Sequence, residues 1–180
     1  ARCRSCPGIA GKKRRRRYWV SDRKPIVERE HEIRLHDLIA ESGSIQMPPV
    51  PRWKEARLVY LDPPYWKQAE GKYSDSPQDL ANMTLDKFNE SLSGLVNSFG
   101  KKLPAGAHIA LIISPTQYPA PNKEFTDHVG DMLRAVKLPV DMRYSVPYES
   151  QQYNGNMVNW AKDNKKCLVL TREIIVWRIV

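Results

Sequence analysis

Glycine is scarce in this 180-residue chain: nine residues, scattered singly, with Gly8 and Gly11 in a cationic segment that no strand precedes. Clustered glycines let backbone approach a charged, nucleotide-like ligand, so no loop here is evidently built for that purpose. Cysteine is scarcer still, at Cys3, Cys6 and Cys167. The Cys3-x-x-Cys6 spacing is that of half a zinc site or a redox pair, but no second CxxC or CxxH follows at a workable distance. Completing it would need His31, His36 or another chain. Those histidines, flanked by Glu28, Glu30, Glu32 and Asp37, read more simply as a polar helix or strand face. No metal is expected, and Cys3 and Cys6 are the weak candidates. No apolar run reaches the roughly 20 residues of a membrane span, and there is no secretion signal. With so few cysteines, this points to a reducing setting, cytoplasmic or nucleoid-associated, without a membrane.

Acidic residues are nearly absent from residues 1–24, where ten Lys and Arg face the single Asp22. The other 156 residues carry 19 basic and 19 acidic side chains, so the whole formal charge of +9 lies in this segment. The chain therefore divides into a basic arm, 1–24, and one domain, 25–180. Lys12, Lys13, Arg14, Arg15, Arg16 and Arg17 repel one another unless a polyanion orders them, which reads as a nucleic-acid-binding arm. The plain alternative is a solvated tail or a charged surface strand. Tyr18-Trp19-Val20 can anchor the arm on the domain or stack on bases. Phosphate contacts of this kind carry no sequence information, and no helix-turn-helix or zinc-finger pattern supplies a specific reader.

Within the domain, Glu41-Ser42-Gly43-Ser44 and Met47-Pro48-Pro49-Val50-Pro51 punctuate the approach to an apolar run, Leu58-Val59-Tyr60-Leu61. Leu85, Phe88, Leu92, Leu95, Val96 and Phe99 form one apolar face, predicting a helix from Thr84 to about Gly100 with Thr84 as N-cap. Leu103-Pro104-Ala105-Gly106 then leads to a strand, Ala107 to Ile113. Phe125, Val129, Met132, Leu133 and Val136 repeat the helical pattern. Apolar strands alternating with amphipathic helices predict an α/β fold with a mostly parallel sheet covered on both faces. Ligands sit at the carboxyl ends of such strands.

Asp62-Pro63-Pro64-Tyr65 stands at that position. Two prolines hold φ near −65° and extend the residue before each, so the Asp62 carboxylate and the adjacent carbonyls project in a set direction. Neither proline donates a hydrogen bond, which leaves a cluster of acceptors suited to an exocyclic NH2 group, with Tyr65 offering a flat face to a planar base. The plain alternative is a strand followed by a proline turn. The polar loop from Trp66 to Asp75, including Lys67 and Tyr73, can close over a nucleic-acid substrate or be merely mobile. Ser114-Pro115-Thr116 would border the same pocket. Gln151-Gln152-Tyr153-Asn154-Gly155-Asn156 is either a reader of base edges or a surface turn.

Asp62-Pro63-Pro64-Tyr65-Trp66, with the helix, turn and strand that follow and the run Cys167 to Arg178, resembles S-adenosylmethionine-dependent amino DNA methyltransferases of the N6-adenine and N4-cytosine class, over about residues 31–180. The resemblance implies a partial Rossmann-like fold ending in an antiparallel hairpin. It implies that Asp62, Pro63, Pro64 and Tyr65 are catalytic, with Asp62 also toward the methyl donor. Trp66, Lys67, Tyr73 and the basic arm would contact DNA, or RNA. An aspartate in first place leans toward adenine over cytosine, and restriction-modification is one setting for such an enzyme. The departure is the family's glycine-rich donor loop, Phe-x-Gly-x-Gly, which this sequence lacks. The chain then reads as part of a longer enzyme, as a subunit needing a partner that carries that loop, or as a non-catalytic scaffold. Ala1 without an initiator Met mildly favours the first.

Overall fold

The computed structural model describes residues 19–22, 34–40, 42–68, 70–72, 74–117, 125–148 and 155–180. The basic run Lys12 to Arg17, Cys3, Cys6, His31, Tyr73 and residues 151–154 lie outside the described residues. β1 (Ser21–Asp22) and β2 (Arg34–Leu35) form a separate parallel pair. Ile39 and Ile45 then bridge across a tight turn in which Gly43 takes φ +81°, where a side chain would be strained. That turn lays Ile39 into the core.

The main sheet is built from β3 (Leu58–Leu61), β4 (His108–Ile113), β5 (Val140–Pro147) and β6 (Thr171–Arg178), in the order β3-β4-β6-β5. Between the strands lie α1 (Leu85–Gly100), α2 (His128–Ala135) and α3 (Gly155–Asp163). β3 and β4 are parallel, whereas β6 runs antiparallel to both β4 and β5. The expected mostly parallel sheet is thus corrected: two of the three pairings are antiparallel, because the last strand inserts between β4 and β5 instead of adding at an edge. β5 and β6 do pair as expected, but α3 separates them in sequence, so they are no tight hairpin. Gly155 and Asn156, read as part of a loop, open that helix.

Register assigns each residue a face. Val59, Leu61, Ile109, Leu111, Ile113, Ile175 and Trp177 face α1 and α2, meeting Phe88, Leu92, Leu95, Val96, Phe99, Val129 and Met132 in one core. Each such side chain contributes roughly 1.5–3 kcal/mol on burial. On this covered face Glu173 is also buried, held by Arg143 Nε at 3.0 Å and Ser145 Oγ at 3.0 Å.

The opposite face is open. Leu58 and Tyr60 on β3, and Met142, Tyr144 and Val146 on β5, are exposed, Leu58 by 58% and Tyr144 by 51%. Ala110, Ile112, Ile174 and Val176 between them are only half-buried. Among the described residues no element covers that face, and β3 is a half-exposed edge strand instead of a buried one.

α1 starts and stops as its sequence predicts, but Thr84 makes no capping hydrogen bond with its side chain. α2 is capped by Asp127, whose carboxylate accepts from the Gly130 amide at 3.1 Å. Phe125, read as part of that helix's apolar face, precedes it and is exposed.

Candidate active site

β3 ends at Leu61, β4 at Ile113 and β5 at Pro147, while β6, running the other way, begins at Thr171. One edge of the sheet therefore gathers Asp62, Ser114, Tyr148 and Arg172. The Tyr148 hydroxyl reaches Ser114 Oγ at 3.5 Å, and Ser114 Oγ donates to the Thr171 carbonyl at 3.2 Å or to that of Pro115 at 3.2 Å. The Arg172 guanidinium lies 4.9 Å from the centroid of the Tyr148 ring, a cation–π stack.

Arg172 also bears on the tetrapeptide. Burial pushes the Asp62 carboxyl above its ordinary range, and the Arg172 charge pulls it back down. The Asp62 side chain is exposed. Tyr65 is half-buried, and its phenol is driven up first by that burial and then by the Asp62 charge, against the opposing charge and hydrogen bond of Arg172. Pro63 and Pro64 are half-buried between them. The result is a row of acceptors beside an aromatic ring, with one cation behind both.

The segment after the tetrapeptide is tied down. Trp66 is buried and its indole N–H donates to the Met83 carbonyl at 3.0 Å. Its ring therefore packs in the core, not on the nucleic-acid surface where it was expected. Lys67 takes a left-handed φ of 58° and pairs with Glu70. Its ammonium also donates to the Asn82 carbonyl at 3.4 Å, so its charge is already engaged. Asn82 accepts from the Gly71 amide at 3.0 Å and donates to the Ser74 and Ser76 carbonyls at 2.8 Å each. Asp79 accepts from the Ala81 amide and the Ser74 hydroxyl. These bonds tie residues 70–72 and 74–82 to one another beside the tetrapeptide.

Ser114, Pro115 and Thr116 follow the end of β4, next to β3 and Asp62, and all three are buried. Gln117 extends them: its amide donates to the Cys167 carbonyl at 2.6 Å and accepts from the Val169 amide at 2.7 Å, fixing the approach to β6. Cys167 itself is an exposed free thiol. Sequence reasoning missed Arg172, Tyr148 and His128. The one available signal for Arg172 was a long cation at the head of the terminal strand, before the apolar run Ile174 to Trp177. Among the described residues no group of three or more His, Cys, Asp and Glu is placed to hold a metal ion, and no helix is long and apolar enough to cross a membrane.

No protein-family model and no curated protein matches the chain. Among solved structures, the PvuII DNA methyltransferase (cytosine-N4-specific) matches with TM-score 0.54 at 10% identity, over 73% of this chain and 45% of that one. The chain thus spans less than half the length of that enzyme, and at this identity the likeness is one of fold.

Proposed function

We propose that this chain carries the base-binding, catalytic part of an S-adenosylmethionine-dependent methyltransferase acting on an exocyclic amino group in DNA, adenine in the first instance and cytosine as the alternative. The observation that carries the reading is Asp62-Pro63-Pro64-Tyr65 at the carboxyl end of β3, beside the end of β4, in a fold similar to that of a DNA amino-methyltransferase. In this reading a base leaves its stack and enters the pocket. Tyr65 stacks on its face, while the Asp62 carboxylate and the Pro63 carbonyl accept its N–H groups. Holding the amino group by its hydrogens turns the nitrogen lone pair outward, and catalysis is orientation plus electrostatics. The donor, when bound, supplies an electrophilic methyl group on sulfur. Asp62 is positioned to take up the proton that the amino nitrogen sheds.

This chain fits the acceptor side better than the donor side. Asp62 is the residue assigned toward the donor, the others being unidentified, and the single glycines form no cradle. Two features support a partner, or further polypeptide, that completes the donor pocket: β3 has a free outer edge among the described residues, and the apolar sheet face beside it is open. Lys12 to Arg17 would bind phosphates, and RNA is not distinguished from DNA by such contacts. The competing reading, a non-catalytic nucleic-acid scaffold, is favoured by the same missing cradle.

Isothermal titration with S-adenosylmethionine, followed by transfer of a labelled methyl to DNA, decides between them. Binding and transfer by the chain alone would mean a self-sufficient donor pocket. Transfer restored only by a donor-binding partner supports the divided site. An Asp62→Ala variant should lose transfer and keep DNA affinity; unchanged transfer would remove Asp62 from the chemistry.

A further inference from the structure

His128 is fully buried at the start of α2, with Phe88 of α1 edge-on at 5.3 Å and Trp66 at 5.9 Å between ring centroids. Its Nε2 lies 3.2 Å from the hydroxyl of the equally buried Thr116. That hydroxyl contacts the Trp66 carbonyl at 3.0 Å and the Gln68 amide nitrogen at 3.1 Å. Donor accounting then fixes the imidazole. A carbonyl only accepts, so the single Thr116 proton goes to Trp66 O; Gln68 donates one hydrogen to Thr116 and the other to the Pro115 carbonyl at 3.2 Å. Thr116 has one lone pair left, so His128 must donate to it from Nε2, and Nδ1 is the bare nitrogen. Nδ1 has no hydrogen-bond partner. The Ser114 backbone lies near enough to favour the protonated ring, but no hydrogen bond to Nδ1 forms.

We propose that His128 is a positioning residue: by saturating Thr116 it fixes the Trp66 carbonyl and the Gln68 amide, and so aims the rigid Asp62-Pro63-Pro64-Tyr65 unit immediately before them. The proposal rests on the methyl-transfer reading for its catalytic consequence, but the pin is a physical arrangement testable apart from it. α1 and the Trp66 segment face the ring with aromatic surface, and the charges that bear on it are Asp127 and Asp131 of its own helix cap and first turn. Protonation leaves the Nε2–H bond in place and adds a second proton, at Nδ1, to a ring walled by Phe88 and Trp66. Acid therefore loosens the pin by placing a charge among aromatic rings, not by removing a hydrogen bond.

The test uses the full chain. In nitrogen-15 spectra the His128 ring should show hydrogen on Nε2, a bare Nδ1 and no titration until well below pH 6. An Nδ1–H tautomer, or titration at the ordinary histidine value, overturns the proposal. His128→Phe keeps an aromatic ring but no donor, and should cost the Lys67 and Gln68 amides at least tenfold in hydrogen-exchange protection while α1 amides hold. His128→Gln keeps a donor and should retain that protection; equal loss in both variants, or in neither, also overturns it. With the donor-binding partner present, if one is required, His128→Phe should lower kcat at least tenfold with little change in KM for DNA. The acid limb of the wild-type kcat profile should flatten in His128→Gln. Loss of amide protection in a protein that never transfers a methyl sinks the activity reading and leaves the pin standing. Should His128→Phe not fold, the wild-type tautomer and the Gln variant still decide.

Discussion

Replacing Arg143 with Met tests how the sheet tolerates the carboxylate on its covered face. Glu173 is buried with its side chain 8% exposed, and Arg143 Nε meets it at 3.0 Å from a side chain that is 47% exposed. Stripping a partner from a fully buried ion pair costs roughly 3–5 kcal/mol. Two features reduce that here: water reaches the guanidinium, and Ser145 Oγ continues to donate to the carboxylate. A loss of about 2 kcal/mol is expected, or about 4–8 °C in Tm for a chain of this size. Urea unfolding followed by tryptophan emission reports it, since the buried Trp177 lies on the same strand and face. The control is the same change in a Glu173→Gln background, where no charge is left stranded and the cost should fall below about 0.5 kcal/mol. Equal costs in the two backgrounds would refute the electrostatic argument and reduce Arg143 to packing.

Acid should destabilise the fold through His128. Burial lowers its pKa from 6.5 to about 4, so the stability contributed by the neutral ring is complete above pH 6.5 and is lost as pH falls from there toward 4. The full loss is roughly 3 kcal/mol at most. A His128→Gln variant whose stability tracks the wild type across this window would contradict the assignment. Phe88→Ala should cost roughly 3–5 kcal/mol, because the fully buried ring supports both the core and the His128 pocket; calorimetry showing under about 1 kcal/mol would mean the site collapses freely. Gly43→Ala should cost about 1 kcal/mol at its φ of +81°, and no change in chemical denaturation would mean the turn reshapes.

What the sequence made legible was local. The α1 face could be read from Leu85 to Phe99 because helical spacing is written in adjacent turns, and Asp62 could be placed because two prolines and a short apolar run leave few geometries. Strand order was not legible: Thr171 to Arg178 is apolar enough to pair anywhere, and what seats it between β4 and β5 is complementarity with segments far away in the chain. The open face was not legible: Met142, Tyr144 and Val146 alternate with Asp141, Arg143 and Ser145, a pattern that turns the apolar side to the core, whereas the register leaves those apolar side chains exposed and puts Arg143 and Ser145 on the side of Glu173. Arg172 and His128 escaped because each acts on residues more than 50 positions away, Arg172 on Tyr65 and His128 on Trp66.

The central seat of β6 sets an order of events during synthesis. β3, α1 and β4 form one local unit that can close as it leaves the ribosome, but β5 emerges with no neighbour, because the strand it pairs with is the last of the sheet to be made. Until then its apolar residues and both its edges are available to other chains, a hazard that long-range pairing carries. Ribosome-bound chains stalled before Thr171 should therefore hold β5 protease-sensitive, and release of β6 should protect both strands in one step.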